Sequence, residues 1–197
     1  MQIISYICGA VNHLACDNKE NKIKFRIGGI CEYLMYVIRS VRTDVNTLLI
    51  GCEAIKNLCE NDYINCDIFG CFGICTLIMS VMNEHMKDSA VVTVVFEVVK
   101  AITDQHLGNR LQLGNKRTCR QVTDALHHHK SNCSVIDVGC SALRLLLLGI
   151  AENDALNISY IFNDNFCSDD DENDDIRQIT NRKKLNDFDD KFKLYLT

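Results

Sequence analysis

Apolar residues along this chain return at helical spacing, one segment after another. Leu34, Val37, Ile38 and Val41 form one stripe, and Ile74, Leu77, Ile78, Val81 and Met82 form the next. Residues three and four apart share a helix face, so each stripe predicts a helix with one buried side. Leu49–Cys59 and Val91–Ile102 are further apolar runs of the same kind. Val91–Val99 is β-branched and alone would suit a strand, but it falls in register with Ile50–Ala54, and that register outweighs local propensity. The pattern predicts a third helix at Asn46–Cys59, then a short helix at Asp62–Phe69 and a second at Ile74–His85. Glycines at 28, 29, 70 and 73 sit between short and second helices. A close turn there needs a small or φ-permissive residue.

The register has a period of 44 residues. Ala10-Val11-Asn12-His13-Leu14 falls on Ala54-Ile55-Lys56-Asn57-Leu58, then on Val98-Val99-Lys100-Ala101-Ile102 and Ala142-Leu143-Arg144-Leu145-Leu146. Asn21, Asn65 and Asn109 align, as do Phe25, Phe69 and Leu113. Gly29-Ile30-Cys31 matches Gly73-Ile74-Cys75 closely and Arg117-Thr118-Cys119 weakly. No unit of this size can bury its own apolar face, so stacked units must form the core. The expected fold class is all-α, an α-solenoid.

Ala54–Met82 (AIKNLCENDYINCDIFGCFGICTLIMSVM) and Ala10–Ile38 (AVNHLACDNKENKIKFRIGGICEYLMYVI) carry the text by which the chain resembles the armadillo repeat family. Val98–Leu126 is a weaker copy, and the fourth fits beyond Val135–Leu148 only after an insertion of about four residues. The resemblance spans Ser5 to about Phe162. It implies a right-handed superhelical array, with a short helix and two longer antiparallel ones per unit. The units are 1–16 (partial), 17–60, 61–104, 105–148 and a divergent 149–166, with an acidic C-terminal tail over 167–197. The chain begins almost directly in a third helix, which reads as truncation or divergence at that end.

In this family the third helices line a concave surface, and an Asn at the position of Asn57 clamps the main chain of an extended peptide. That column here is His13, Asn57, Ala101 and Leu145. One turn earlier, where some relatives carry Trp, stand Gly9, Glu53, Glu97 and Ser141. The ladder is incomplete, so capture of an extended basic peptide is not expected. The residues expected to contact a protein or peptide are His13, Glu53, Lys56, Asn57, Glu97, Lys100 and Arg144. They would line a mixed, mildly acidic groove.

Composition narrows the chemistry. The net charge of -5 makes nucleic acid an unexpected partner, although Arg110, Lys116, Arg117 and Arg120 form a basic cluster suited to an acidic partner. The most apolar stretch, Ala142–Gly149, is broken by Arg144 and shorter than the ~20 residues a bilayer needs, so no membrane insertion is expected. The start lacks the charged region of a signal peptide, and a cytoplasmic or nuclear location is expected.

Of the 12 cysteines none forms a C-x-x-C pair. Cys8, Cys52 and Cys140 share a repeat column with Phe96, and Cys31, Cys75 and Cys119 share another. Such residues act as small buried hydrophobes, not as metal ligands or disulfides. Three consecutive histidines, His127–His129, point in different directions on a helix, and His129 reads as a partner of a helix C-terminus. Ser168–Asp175 is an acidic block without the Gly and Glu of a calcium loop, and should be disordered. The segment after it reads equally as a docking helix or as a tail that engages a partner. No Gly-rich phosphate loop and no nucleophile–base pair occurs, so neither enzyme activity nor a cofactor is expected. The expected function is a non-catalytic protein-interaction or scaffold module. The alternative is a structural piece of a larger armadillo-type solenoid whose ends are repeat or oligomer interfaces.

Overall fold

A computed structural model describes the backbone of residues 2–164 and the side chains to Asp154. The chain divides into two compact units, Met1–Ala155 and Leu156–Thr197, and packing is described for the first. The acidic tail 167–197 lies outside the described residues. Ten helices and no strand are present among the described residues. They are α1 (Gln2–Ala15), α2 (Lys19–Ile27), α3 (Ile30–Ser40), α4 (Val45–Cys59), α5 (Tyr63–Cys71), α6 (Ile74–Glu84), α7 (Ser89–Thr103), α8 (Leu107–Leu113), α9 (Lys116–His128) and α10 (Cys133–Asp164). Helices α2, α5 and α8 begin 44 residues apart, and so do α4, α7 and α10.

The starts are fixed by side chains that satisfy otherwise orphaned amides. Asn18, Asp62 and His106 stand at one column and accept from the backbone N–H of Asn21, Asn65 and Asn109 at 3.0, 2.9 and 3.0 Å. Those three asparagines then reach back seven residues. Their Nδ2 groups donate to the carbonyls of Leu14, Leu58 and Ile102 at 2.8, 2.9 and 3.0 Å. Each asparagine thus pins the end of a long helix to the start of the next short one. Asp17 and Asn61 take left-handed φ values of 50° and 56° in the first two of these turns. Only Gly, Asn and Asp visit that region cheaply.

Gly29 and Gly73 precede α3 and α6 at φ 76° and 81°. Gly28 and Gly70 do not supply the turn. A Cβ on Gly70 would run into the Asn109 side chain, so this glycine serves a close approach between units. In the third unit Arg117 occupies the Gly29/Gly73 column, and a bulky side chain resists left-handed φ. The turn is displaced. Gly114 ends α8, Asn115 accepts from Thr118 N–H at 2.9 Å, and α9 starts at Lys116.

Helix α7 shows which effect wins in a valine-rich segment. Each β-branched residue costs a few tenths of a kcal/mol in a helix, whereas full burial of a valine gives about 1.5 kcal/mol or more. Val91, Val92, Val94, Val95, Val98 and Val99 are all buried, and Asp88 caps the start. Helix α7 packs against α4 and α6, and α4 also against α1 and α3.

Helix α10 differs most from the reading of the sequence. It runs unbroken through residue 149, where a divergent unit was expected to begin. Over Cys133–Asp154 it is long and apolar enough by composition to cross a bilayer, unlike the short stretch Ala142–Gly149 taken alone. Within the first unit, however, Ala142 and Leu146 are buried, and a Cβ on Gly139 would meet Phe96 and Leu126. Gly149 likewise lies against Gly114 and the Arg110 carbonyl with no space for a Cβ.

Polar ties join successive units. Arg26 donates to Asp62 at 3.0 Å and to Asn65 Oδ1 at 3.2 Å. The Lys22 ammonium reaches the Glu60 carbonyl. His85 and His129, the C-cap residues of α6 and α9, donate from Nε2 to the carbonyls of Arg42 and Met86, each at 2.8 Å. His129 therefore ties units together, in addition to ending its own helix. Arg42 pairs with Glu84.

The Asn109 side chain donates twice where those of Asn21 and Asn65 donate once, reaching also the Cys66 carbonyl at 2.9 Å. Replacing it with Ala strands two buried carbonyls. Asn109→Ala should lower stability by about 2–4 kcal/mol, against about 1 kcal/mol or less for the half-exposed Asn21→Ala. Urea denaturation of the two variants measures the difference.

Candidate functional site

The side chains that project from the third helices α1, α4, α7 and α10 meet in lateral rungs. Residue 12 of the register faces the residue 41 positions later. Asn12 Nδ2 donates to Glu53 Oε2 at 2.9 Å, and one unit on Lys56 Nζ pairs with Glu97 Oε2 at 3.4 Å. The third rung sets Lys100 in register with Ser141, so no carboxylate stands in the acceptor column. No salt bridge to Lys100 or Arg144 forms among the described residues.

A depression of about 440 Å³ lies over the second and third rungs, with Lys56, Glu97, Lys100 and Arg144 in its wall. Four of the seven residues expected to bind a partner are thus brought together. Glu60, Asp62 and Asp104 add negative charge, and Ala101 and Leu145 form an apolar floor. Of the carboxylates, Asp62 is held by Arg26 and Glu97 by Lys56.

The other three expected residues lie elsewhere. Glu53 is engaged by Asn12. Asn57 donates its amide to Asn12 Oδ1 at 2.6 Å and to the Asn12 carbonyl at 3.2 Å. The donor that would clamp a peptide main chain is therefore directed to a neighbouring helix, because the column before it holds Asn12. His13 is exposed on α1 and does not line the depression. Asn12, Ser141 and Leu145 are site residues outside the expected set, although Ser141 and Leu145 stand in its two columns. The signal for them is an offset of 41, three residues short of the repeat period.

The basic cluster does not act as one patch. Arg110 donates to Glu152 at 2.8 Å and to the carbonyls of Thr103 and Asp104 at 2.8 and 2.9 Å, so it is part of the joint between α8 and α10. Lys116, Arg117 and Arg120 remain exposed on α9.

His106 lies 3.3 Å from Asp67 and stacks on Tyr63 at 4.6 Å, an arrangement that superficially resembles a base with its orienting acid. Its Nδ1 accepts from the Asn109 amide, however, leaving no ring nitrogen for a substrate proton. Among the described residues no three His, Cys, Asp or Glu side chains are grouped as a metal site would require.

Among the described cysteines burial varies, with Cys119 intermediate. Cys8, Cys31, Cys52, Cys59, Cys66 and Cys75 are buried, while Cys16, Cys71, Cys133 and Cys140 are exposed. Cys140 thus departs from its column, which is buried in the three other units. Burial pushes the thiols of Cys31, Cys52 and Cys75 up to about 12.

Comparison with protein-family models, with curated proteins and with solved structures finds no match. The arrangement of the site therefore rests on its own geometry.

The thiolate is the nucleophile in alkylation, so the buried and the exposed cysteines should separate by rate. At pH 8 iodoacetamide should modify Cys16 and Cys133 in the native protein and Cys31, Cys52 and Cys75 only in denaturant. Peptide mass spectrometry reads the order, and equal rates at Cys52 and Cys133 would contradict the packing.

Proposed function

We propose that the chain is a non-catalytic protein-interaction module, an armadillo-like α-solenoid that presents its stacked third helices to a peptide. One observation carries this reading: the lateral rungs satisfy their own polar groups, by a hydrogen bond at Asn12–Glu53 and an ion pair at Lys56–Glu97, but not at Lys100. A cation held in a recess beside an apolar floor recognises a carboxylate better than an exposed lysine does, because the low-dielectric wall strengthens the pair. The ligand this favours is an extended peptide with an acidic anchor at Lys100 and an apolar neighbour on Ala101 and Leu145. Glu60 and Asp104 favour a basic or neutral residue to either side.

Rigid helices hold these groups in place before binding, so the ordering cost falls mainly on the peptide. Asn57 does not capture the peptide backbone, since its amide is already engaged.

A phage-displayed random peptide library panned on the native protein tests the reading. Recovered peptides should be enriched in Asp or Glu, and Lys100→Glu should weaken them about tenfold, equivalent to about 1.4 kcal/mol. Lys100→Arg should retain binding. Recovery of no peptide, or of peptides that bind Lys100→Glu as well as the native chain, would overturn it.

A further inference from the structure

The two outer third helices expose columns that the inner ones bury. On α10 these are Cys140, Leu143 and Leu147, of which Leu143 is only half-exposed. The first column is Cys8, Cys52 and Phe96 in the other units, each 0% exposed. The second is Val11, Ile55 and Val99, all buried, and the third is Ala15, Cys59 and Thr103, all buried. Leu147, by contrast, is 52% exposed, and Cys140 is exposed as well. Together with Leu148 and Arg144 they line a shallow apolar groove.

Helix α1 shows the reverse side. Ile3, Tyr6, Ala10 and Leu14 are exposed there. In α7 the same columns are Val91, Val94, Val98 and Ile102, all buried. Neither face is a scatter of single apolar residues, which would need no explanation. Each is one half of a contact that recurs inside the chain.

We infer that these faces join head to tail, the α10 face of one chain receiving α1 of a second copy. The internal joint supplies the register. Ile50 lies against Gly9, and both Glu53 and Asn57 bond Asn12. Advancing that contact past α10 sets Tyr6 of the second copy opposite Ser141, and Gly9 and His13 of the second copy opposite Arg144. The sizes complement each other. Arg144 is larger than Asn12, and it meets a glycine where Asn12 meets Glu53. Its planar guanidinium can then stack on or donate to the His13 ring.

The inferred contact is between third helices alone, without the shorter helices α3 and α6 that also pack on α4 and α7 inside the chain. The association is therefore weak and depends on concentration. A head-to-tail joint of this kind does not close on itself, so chains add in a row.

Sedimentation or light scattering of the full chain in reductant tests the inference. The average mass should rise from 22.3 kDa toward two chains and beyond as concentration increases. Tyr6→Asp or Leu147→Asp, both at exposed positions, should each keep the chain monomeric without changing its melting temperature. An equimolar mixture of the two variants should form a dimer that grows no further, since one intact joint remains. Alkylation of Cys140 should slow several-fold with concentration in the native chain and not in Leu147→Asp. A native chain that stays monomeric throughout would overturn the inference, as would a dimer that both variants still form. Flotation with phosphatidylcholine vesicles in the absence of self-association would assign the faces to a lipid surface instead, and would also overturn it. Ser141 and Arg144 line the depression as well as the joint, whereas Tyr6 and Leu147 lie outside the depression, so peptide binding at Lys100 is read on the monomeric variants independently of these results.

Discussion

The back-bond of Asn21, Asn65 and Asn109 is the constraint on which the arrangement depends. A helix that ends leaves carbonyls without partners, and one that begins leaves amides. In each unit one asparagine addresses both problems: its backbone N–H goes to the cap residue ahead of it, and its side-chain amide goes to a carbonyl seven residues earlier. That sets the sharp turn between a third helix and the next short helix. With the turn set, α4 lies beside α1 and α7 beside α4, and their apolar faces can close on one another. Burial supplies most of the stabilising free energy, but it is not directional. The asparagine supplies the direction.

The rungs depend on this registration. Third helices held side by side bring position 12 of one unit beside position 53 of the next, and every polar side chain there must find a partner or remain in water. In the first rung two neutral amides and a carboxylate satisfy each other, with Asn12 shared between Glu53 and Asn57. In the second a lysine and a glutamate do so. Replacing the acceptor by Ser141 changes the third rung from a closed pair to an open cation. A closed rung thus differs from an open one at a single column.

Much of this is legible in the sequence, because a period of 44 residues lets several weak signals be read together. Val91–Val99 reads as helix only through its register with Ile50–Ala54. The glycines at 29 and 73 are there for the expected reason, a backbone conformation. Gly70 is not, because its neighbour, Asn109, is 39 residues away. Long-range partners account for the other misses. Arg110 groups with surface bases in the sequence because Glu152, its partner, lies on a helix that packs back from 42 residues on. Resemblance gives Asn57 an outward role, and Asn12 on the adjacent helix turns it inward. In the third unit Arg117 stands where glycine is needed, and the fold responds by moving the turn, which no alignment in fixed register expresses.

Repetition also explains why burial cannot be assigned to a residue type alone. Cys52 and Cys140 are the same residue at the same column of two third helices, yet one is enclosed and the other exposed. The difference lies in the neighbouring helix each one meets. Such a column is core where another helix packs on it and exposed where none does among the described residues, as on α10 and, in reverse, on α1. An apolar side chain at such a column gains nothing from water, and on the order of 25 cal/mol per Å² is available to whatever covers it. Inner columns can drift among Cys, Phe, Ile and Val because a packed neighbour accommodates the volume. At the outer columns the same drift changes the surface itself. On α1 and α10 the exposed surface is therefore built from columns that form the core elsewhere, as Leu147 beside its counterpart Cys59 shows.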